Sequence, residues 1–575
     1  MAADRRFVMV LALAVSTILA ACASPERSGP AAGSGGREAG APRHSRLTVV
    51  VANEPVVLYY SLAPAATRGS AGILYDFLSP GLALSDNEGT LRPLLVEEIP
   101  SIENGLWKLL PDGRMETTWR IRQGARWHDG APLTSDDLLF TLQVVQDREL
   151  PALGNRTYAL IEGATAPDPR TITLTWRRTF IGADQTFSSL GSASLALPIP
   201  KHLLEAAYEG NKAGFLDLPY WSHEYIGLGP FRLQDWARGS QIVLAAFDGY
   251  ALGRPKIDEV EARFIPDQNT IISNVLAGQT DVFQGAAIGV DQGMLLREQW
   301  RQGTVKVMAN NWVAIHPQFV NPQPTAVLNP QFRRALMHAM DRQTMADTLM
   351  QGLVPVAHGP LDVSSREFKA TESYLVKYDY NPRRATEILQ GLGYTSGPDG
   401  MLRDGSGPLG PVEVRGYASR DIQVKSLFPV ADNWQRIGIA AEPQVLSAQQ
   451  ASDPQDQATF RSFLLVRQDY HLNRLVSYHS SEARLPERNY SGTNNSRYSN
   501  PDMDAFVERY QATVPWRERM EAAGQILRQM TDDLAVMPLF FDMEVALVSS
   551  RVRNATPLLG EGSSRFWNAN EWEIQ

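Results

Sequence analysis

Residues Trp119 to Leu138 read as a strand, a tight turn and the start of a helix. Trp119 and Ile121 alternate with Arg120 and Arg122, the two-residue period of a half-buried strand. Asp129-Gly130 is a turn pair, because glycine takes positive φ without a steric penalty. Thr134 and Asp137 stand at capping-box spacing, with Asp in place of the usual Glu or Gln. Asp136 and Asp137 add negative charge to the first helical turn, which the helix dipole favours. Locally this specifies a well-formed supersecondary unit and no more.

The chain around it is long enough, at 575 residues, for about two to four domains with ample core. Hydrophobic residues at 43% and charged residues at 20% describe an ordinary globular protein. The net charge is −9 and there is no lysine or arginine run, which argues against a nucleic-acid partner.

The N-terminus carries Arg5 and Arg6, then an apolar run of 13 residues from Phe7 to Leu19. A bilayer-spanning helix needs about 20 residues, so the run reads as a secretory leader, residues 1–21. Leu19-Ala20-Ala21-Cys22 follows and resembles a bacterial lipobox, which makes Cys22 the expected lipidation site. Removing residues 1–21 takes away two Arg and one Asp and moves the net charge to −10. Cys22 is the one cysteine in the chain, so packing alone must hold the body together. Residues 22–44, rich in Gly, Ala, Ser and Pro, read as a flexible tether.

Further on, Leu47 to Val51 is a buried-strand run and Thr171 to Trp176 alternates as a strand. Asn329-Pro330, Asn381-Pro382 and Asn500-Pro501 each place an N-cap Asn before a Pro suited to the first helical position. Each is followed by a 3–4 apolar repeat, and a fourth such stripe runs from Met520 to Leu534. These methionine-containing stripes are core faces. Gly227-Leu228-Gly229 is followed by Pro230 and a strand-like Phe-Arg-Leu, so it lacks the helix a phosphate cradle needs.

Six blocks in order resemble the family 5 extracellular solute-binding proteins, the peptide and nickel class serving ABC importers. They are the 119–138 stretch, Gly227 to Phe231, Phe332 to Arg342, Tyr380-Asn381-Pro382, Asn433-Trp434 with Ile437 to Ile439, and Met537 to Phe541. The resemblance covers about residues 47–575. It implies an α/β, two-lobed periplasmic-binding-protein type II-like fold of the large peptide-binding class. Lobe 1 would be 45–85, 224–312 and 541–575, with an extra subdomain inserted at 86–223. Lobe 2 would be 313–540. Hinge closure on ligand is the usual behaviour of such proteins.

The same resemblance points to ligand-binding residues. Family peptide binders place an Asp-Tyr pair after a lobe-2 strand, with the aspartate facing the peptide α-amino group, a charge-assisted bond. Here Phe463 to Val466 is the strand and Asp469-Tyr470 is the pair. Val466 and Arg467 replace the family's Trp and small residue, and Arg467 either offsets Asp469 or binds a ligand carboxylate. Asn494 and Asn495 lie in a segment resembling the family's next pocket-side stretch and bind ligand backbone or form a turn. Arg68, in the loop Thr67-Arg68-Gly69, is a further candidate.

Metal ligands and cofactors are not expected. His471 and His479 are eight apart without a nameable third ligand, and His202 follows Pro-Lys at a helix entry. There is no Gly-x-Ser-x-Gly, His-Glu-x-x-His or Walker motif, so an enzyme is not expected. The expectation is a monomeric, membrane-anchored lipoprotein on the periplasmic or extracellular face. It would bind a peptide or small solute and pass it to an ABC permease and ATPase complex. The alternatives are a receptor for an oligosaccharide or nickel chelate, and a sensory or chaperone-like binding protein without a transporter. The supply of 12 Trp and 18 Tyr suits sugar stacking and ordinary core equally.

Overall fold

The computed structural model describes residues 44–63, 68–155, 157–190, 193–194, 196–418, 421–555 and 564–575. The leader, Cys22 and the tether up to residue 43 lie outside them, as do Thr67 and the side chain of Arg68.

Among the described residues the largest sheet has ten strands. In chain order they are β1 (Arg46–Val51), β2 (Phe231–Ala237), β3 (Gln241–Ala246), β4 (Glu259–Phe264), β5 (Val282–Gly285), β6 (Gly303–Pro317), β7 (Val412–Tyr417), β8 (Ala441–Leu446), β9 (Phe463–Gln468) and β10 (Met537–Ser549). Their spatial order is β2-β3-β4-β1-β5-β10-β6-β9-β7-β8. Five strands lie at one end and three at the other, joined by β10 and β6.

Those two strands organise the molecule. They pair antiparallel from Gly303↔Ser549 to Ile315↔Met537, with irregularities at Ala309/Asn311 and Val313/Ala314. β5 pairs with β10 only along residues 545–548, and β9 pairs with β6 only along residues 312–317. Each long strand therefore belongs to one lobe at one end and to the other lobe at the other end. The extra residue at Asn310 bends the ladder between them, as a bulge does. Pro538 lies at the second irregularity, where a missing N–H costs the ladder least.

Separate hydrophobic clusters fill the lobes. One gathers Val313, Phe332, Trp434, Leu465, Met530 and Phe540. Another joins Leu47, Phe77, Trp221, Phe231 and Trp572. A third packs Trp119, Trp127, Leu138 and Trp176 beside the four-stranded sheet of residues 107–176. Burying each such side chain contributes about 1.5–3 kcal/mol. Seven of the tryptophans are less than 2% exposed, so most of the aromatic supply is core and not a stacking platform.

The sequence's local signals become these elements. The Asn-Pro pairs start α-helices at Pro330, Pro382 and Pro501, and each Asn side chain accepts a backbone N–H of its first turn. The capping Asp137 accepts from Thr134 N–H at 2.9 Å and also from Lys201 N–H at 2.9 Å, tying its own helix to the next. Gly130 takes φ +93° in the turn. Asp129 pairs with His202 Nε2 at 2.7 Å, which accounts for that histidine. His128 bridges to the Gly227-Leu228-Gly229 segment: Nδ1 accepts from Gly227 N–H at 3.1 Å and Nε2 lies 3.1 Å from Gly229 O. A Cβ on Gly227 would stand 2.1 Å from Leu78 O, and one on Gly229 2.2 Å from Phe77 O. The Gly-x-Gly is there for this close backbone approach.

Candidate functional site

The seam between the lobes lies where β6 and β10 bulge, and it is charged. Arg467, on β9, donates to Asp542 and, at 2.8 Å, to Glu544 Oε1, both acids being on β10. All three side chains are at most 9% exposed. Asn310 Nδ2 and Asn311 Nδ2 donate to Glu544 at 2.9 and 3.3 Å. Arg565, from the C-terminal segment, lies 3.4 Å from Glu544 and donates to Gln284 O at 3.0 Å. Burial opposes the charge on Glu544, yet Arg565 and Arg467 outweigh it and hold the carboxyl down to about 2. Burial pushes Asp542 up, and Arg467 works against that. Arg467 is thus engaged with β10 acids.

Two residues beyond Gln468 comes Tyr470, 3% exposed, whose hydroxyl donates to Ala309 O at 2.8 Å. Its ring meets Phe541 edge-on at 5.4 Å. Ala309 adjoins the bulge, so the tyrosine fixes the end of β9 to the crossing point. Asp469 beside it is half-buried. The next residue, His471, is pushed down to about 4 by burial, with Asp469 opposing and Arg474 adding to the shift.

Asn494 and Asn495 come to the same region. Asn494 closes its own turn: its amide donates to Tyr498 O at 2.8 Å and accepts from Tyr498 N–H at 3.3 Å. Asn495 accepts from Arg484 at 3.3 Å. Both line a cavity of about 250 Å3, mouth included, with His316, Gln468, Arg474 and Tyr478. Gln468 therefore faces this cavity while Arg467 turns to the acids, the alternation expected along a strand. His479 accepts from Ser481 N–H at 3.0 Å. Arg68 opens the helix Arg68–Leu78.

The structure brings Asn494 and Asn495 to the end of β9, next to Asp469 and Tyr470, and pairs Arg467 with the acids of β10. Sequence reasoning missed Asp542, Glu544, His316 and Arg474. The first two had a readable signal, since acids two residues apart share one face of an otherwise apolar strand. Nothing local marks His316 or Arg474.

The family described as bacterial extracellular solute-binding proteins, family 5, middle, matches residues 90–473. The oligopeptide-binding protein AppA of Bacillus subtilis is 25% identical over 447 residues, covering 76% of this chain and 75% of that protein. Protein XP55 of Streptomyces lividans is 24% identical over 361 residues, covering 62% of this chain and 59% of its own. Among solved structures, the oligopeptide-binding protein of Thermus thermophilus with a pentapeptide superposes with a TM-score of 0.75 at 20% identity, over 93% of this chain and 97% of that one. NikZ of Campylobacter jejuni with Ni(L-His) superposes at 0.73 and 17% identity, over 93% of this chain and all of that one. The two-lobed type II architecture is common to these structures and this chain.

Proposed function

Because the chain belongs to the bacterial extracellular solute-binding proteins of family 5, we propose that it holds a peptide between its two lobes and delivers it to an ABC permease and ATPase complex. Family members are binding proteins, not enzymes, and work outside the cytoplasm. Among the described residues no helix is long and apolar enough to cross a membrane. Lipid on Cys22 would hold the protein at a membrane surface, and the lobe boundaries expected from the sequence belong to this proposal.

One observation carries the peptide reading. The Tyr470 hydroxyl bond to Ala309 fixes the Asp469-Tyr470 pair at the point where the two strands cross between the lobes. A half-buried carboxylate there suits an ammonium group, because a charge-assisted bond gains strength as water is excluded. The relatives named for oligopeptide binding agree with it.

The test is a thermal-shift screen of the full chain against peptide pools, oligosaccharides and nickel chelates. A ligand that binds only the native state must raise the apparent stability. Peptides are expected to raise Tm, and less so in Asp469→Ala. A rise with sugars or chelates alone, the same in both proteins, would reject the peptide reading.

A further inference from the structure

Helix Pro501–Ala512 ends just ahead of Pro515. A helix leaves its last carbonyls without intrahelical partners. Thr513 takes up two of them, its N–H donating to Tyr510 O at 3.4 Å and its hydroxyl to Arg509 O at 2.6 Å. Gln511 O has no such recourse, because the residue four positions on is Pro515, which lacks an N–H. Its donor comes from a distant part of the chain: Ile181 N–H, at 2.9 Å.

Ile181 belongs to the body on the other side. It follows the strand Thr171–Trp176 of the four-stranded sheet, on a loop held to that sheet. The Phe180 ring stacks on Trp176 at 5.8 Å, and Thr179 N–H donates to Gly113 O at 3.1 Å. Around the Ile181–Gln511 bond the apolar side chains change sides. Ile181 packs against the cluster of Val313, Phe332 and Phe540, whereas Val514 packs against the cluster of Trp119 and Trp176. Charge follows the same seam: burial pushes the Asp184 carboxyl up to about 7, against its own backbone N–H and Arg519 of helix Trp516–Asp532. None of these residues lies on β6 or β10, the strands that join the lobes.

We infer that this contact is a latch: the lobes shut where Ile181 N–H meets Gln511 O with Ile181 and Val514 exchanged, and they part by giving that carbonyl to water. The inference rests on the reading of the chain as a two-lobed solute receptor. Both halves of the latch are protein groups, so it adds to closure whatever solute lies between the lobes. One backbone bond and two half-buried side chains make a small contact, of the kind that lets lobes move. Opening leaves no buried polar group unpaired, because water replaces Ile181 on an exposed helix end.

The experiment measures deuterium exchange at the Ile181 amide of the full chain by mass spectrometry, with X-ray scattering of the same samples. Ile181 lies in no helix or strand, so protection of its amide reports the bond to Gln511. Val514→Asp sets a charge against the apolar cluster. It should speed exchange at Ile181 at least about tenfold and enlarge the radius of gyration, with Tm little changed. Val514→Ser carries the same test if Val514→Asp does not fold. An unprotected Ile181 amide in the native chain overturns the latch. So does an unchanged exchange rate in the variant, or faster exchange at an unchanged radius of gyration, which makes the contact a local one. The peptide pools of the thermal-shift screen should slow exchange at Ile181 in the native chain. Pools that leave Tm unchanged remove the peptide reading, while the variant's radius of gyration still decides on the latch.

Discussion

Arg467 and Glu544, 77 positions apart, meet at 2.8 Å beside the bulge where β6 and β10 pass from one lobe to the other. The same guanidinium holds Asp542, so one residue of β9 neutralises two acids of β10. The pair joins the end of one lobe to the strand that enters the other.

Removing that cation takes the guanidinium from buried Asp542 and leaves buried Glu544 to Arg565. Arg467→Met should destabilise the protein by about 3–5 kcal/mol, as breaking a buried pair on one side does. The triple variant Arg467→Met, Asp542→Leu, Glu544→Leu should recover much of the loss, because charge and counter-charge go together. Denaturant unfolding of the two variants against the native chain measures both.

Burial pushes the Asp76 carboxyl up to about 7, although Phe566 N–H donates to it at 2.8 Å and Arg565 lies near. Its ordinary value is 3.8, so between about pH 4 and 7 the folded state binds more protons at this position than the unfolded state. Its contribution to stability is then greatest below pH 4 and falls as pH rises through 7, by on the order of 4 kcal/mol. Asp76→Asn keeps an acceptor for Phe566 but does not titrate. The stability difference between the variant and the native chain should move in the variant's favour from pH 5 to pH 8.

Gly227→Ala puts a methyl 2.1 Å from Leu78 O, with the Tyr225 ring 3.1 Å away. A loss of more than about 2 kcal/mol is expected, as for other overpacked sites. Gly210→Ala, at a helix end with open space around it, should be neutral or slightly stabilising. Thermal unfolding of the two variants compares them directly.

Much of this was legible because it is local. Asn329, Asn381 and Asn500 cap the helices their Asn-Pro pairs announce, and Asp129-Gly130 makes its turn. Each depends on residues within a few positions. The reach of β6 was not legible. Lys306, Asn310 and Asn311 interrupt its apolar pattern, and only pairing with β10, more than 200 residues away, makes it one strand. The partners of Arg467 and the meeting of His316 with Arg474 are long-range in the same way. Gly227 and Gly229 were recognisable as a pair, but the reason for them is the backbone of Leu78 and Phe77, which no local pattern contains.

Tyr470→Phe removes the hydroxyl bond to Ala309 O while keeping the ring against Phe541. One lost bond of this kind costs about 1 kcal/mol. Peptide affinity should fall by roughly fivefold as Asp469 loses its fixed neighbour, with little change in Tm. Calorimetric titration of the variant reads the affinity.

The most direct test of the central claim is calorimetric titration of the full chain with one captured peptide in two forms, the free α-amine and its N-acetyl derivative. An ammonium held by Asp469 predicts binding of the free amine at least about tenfold tighter, a gap that closes in Asp469→Asn. Equal affinity of the two forms in the native chain would contradict it.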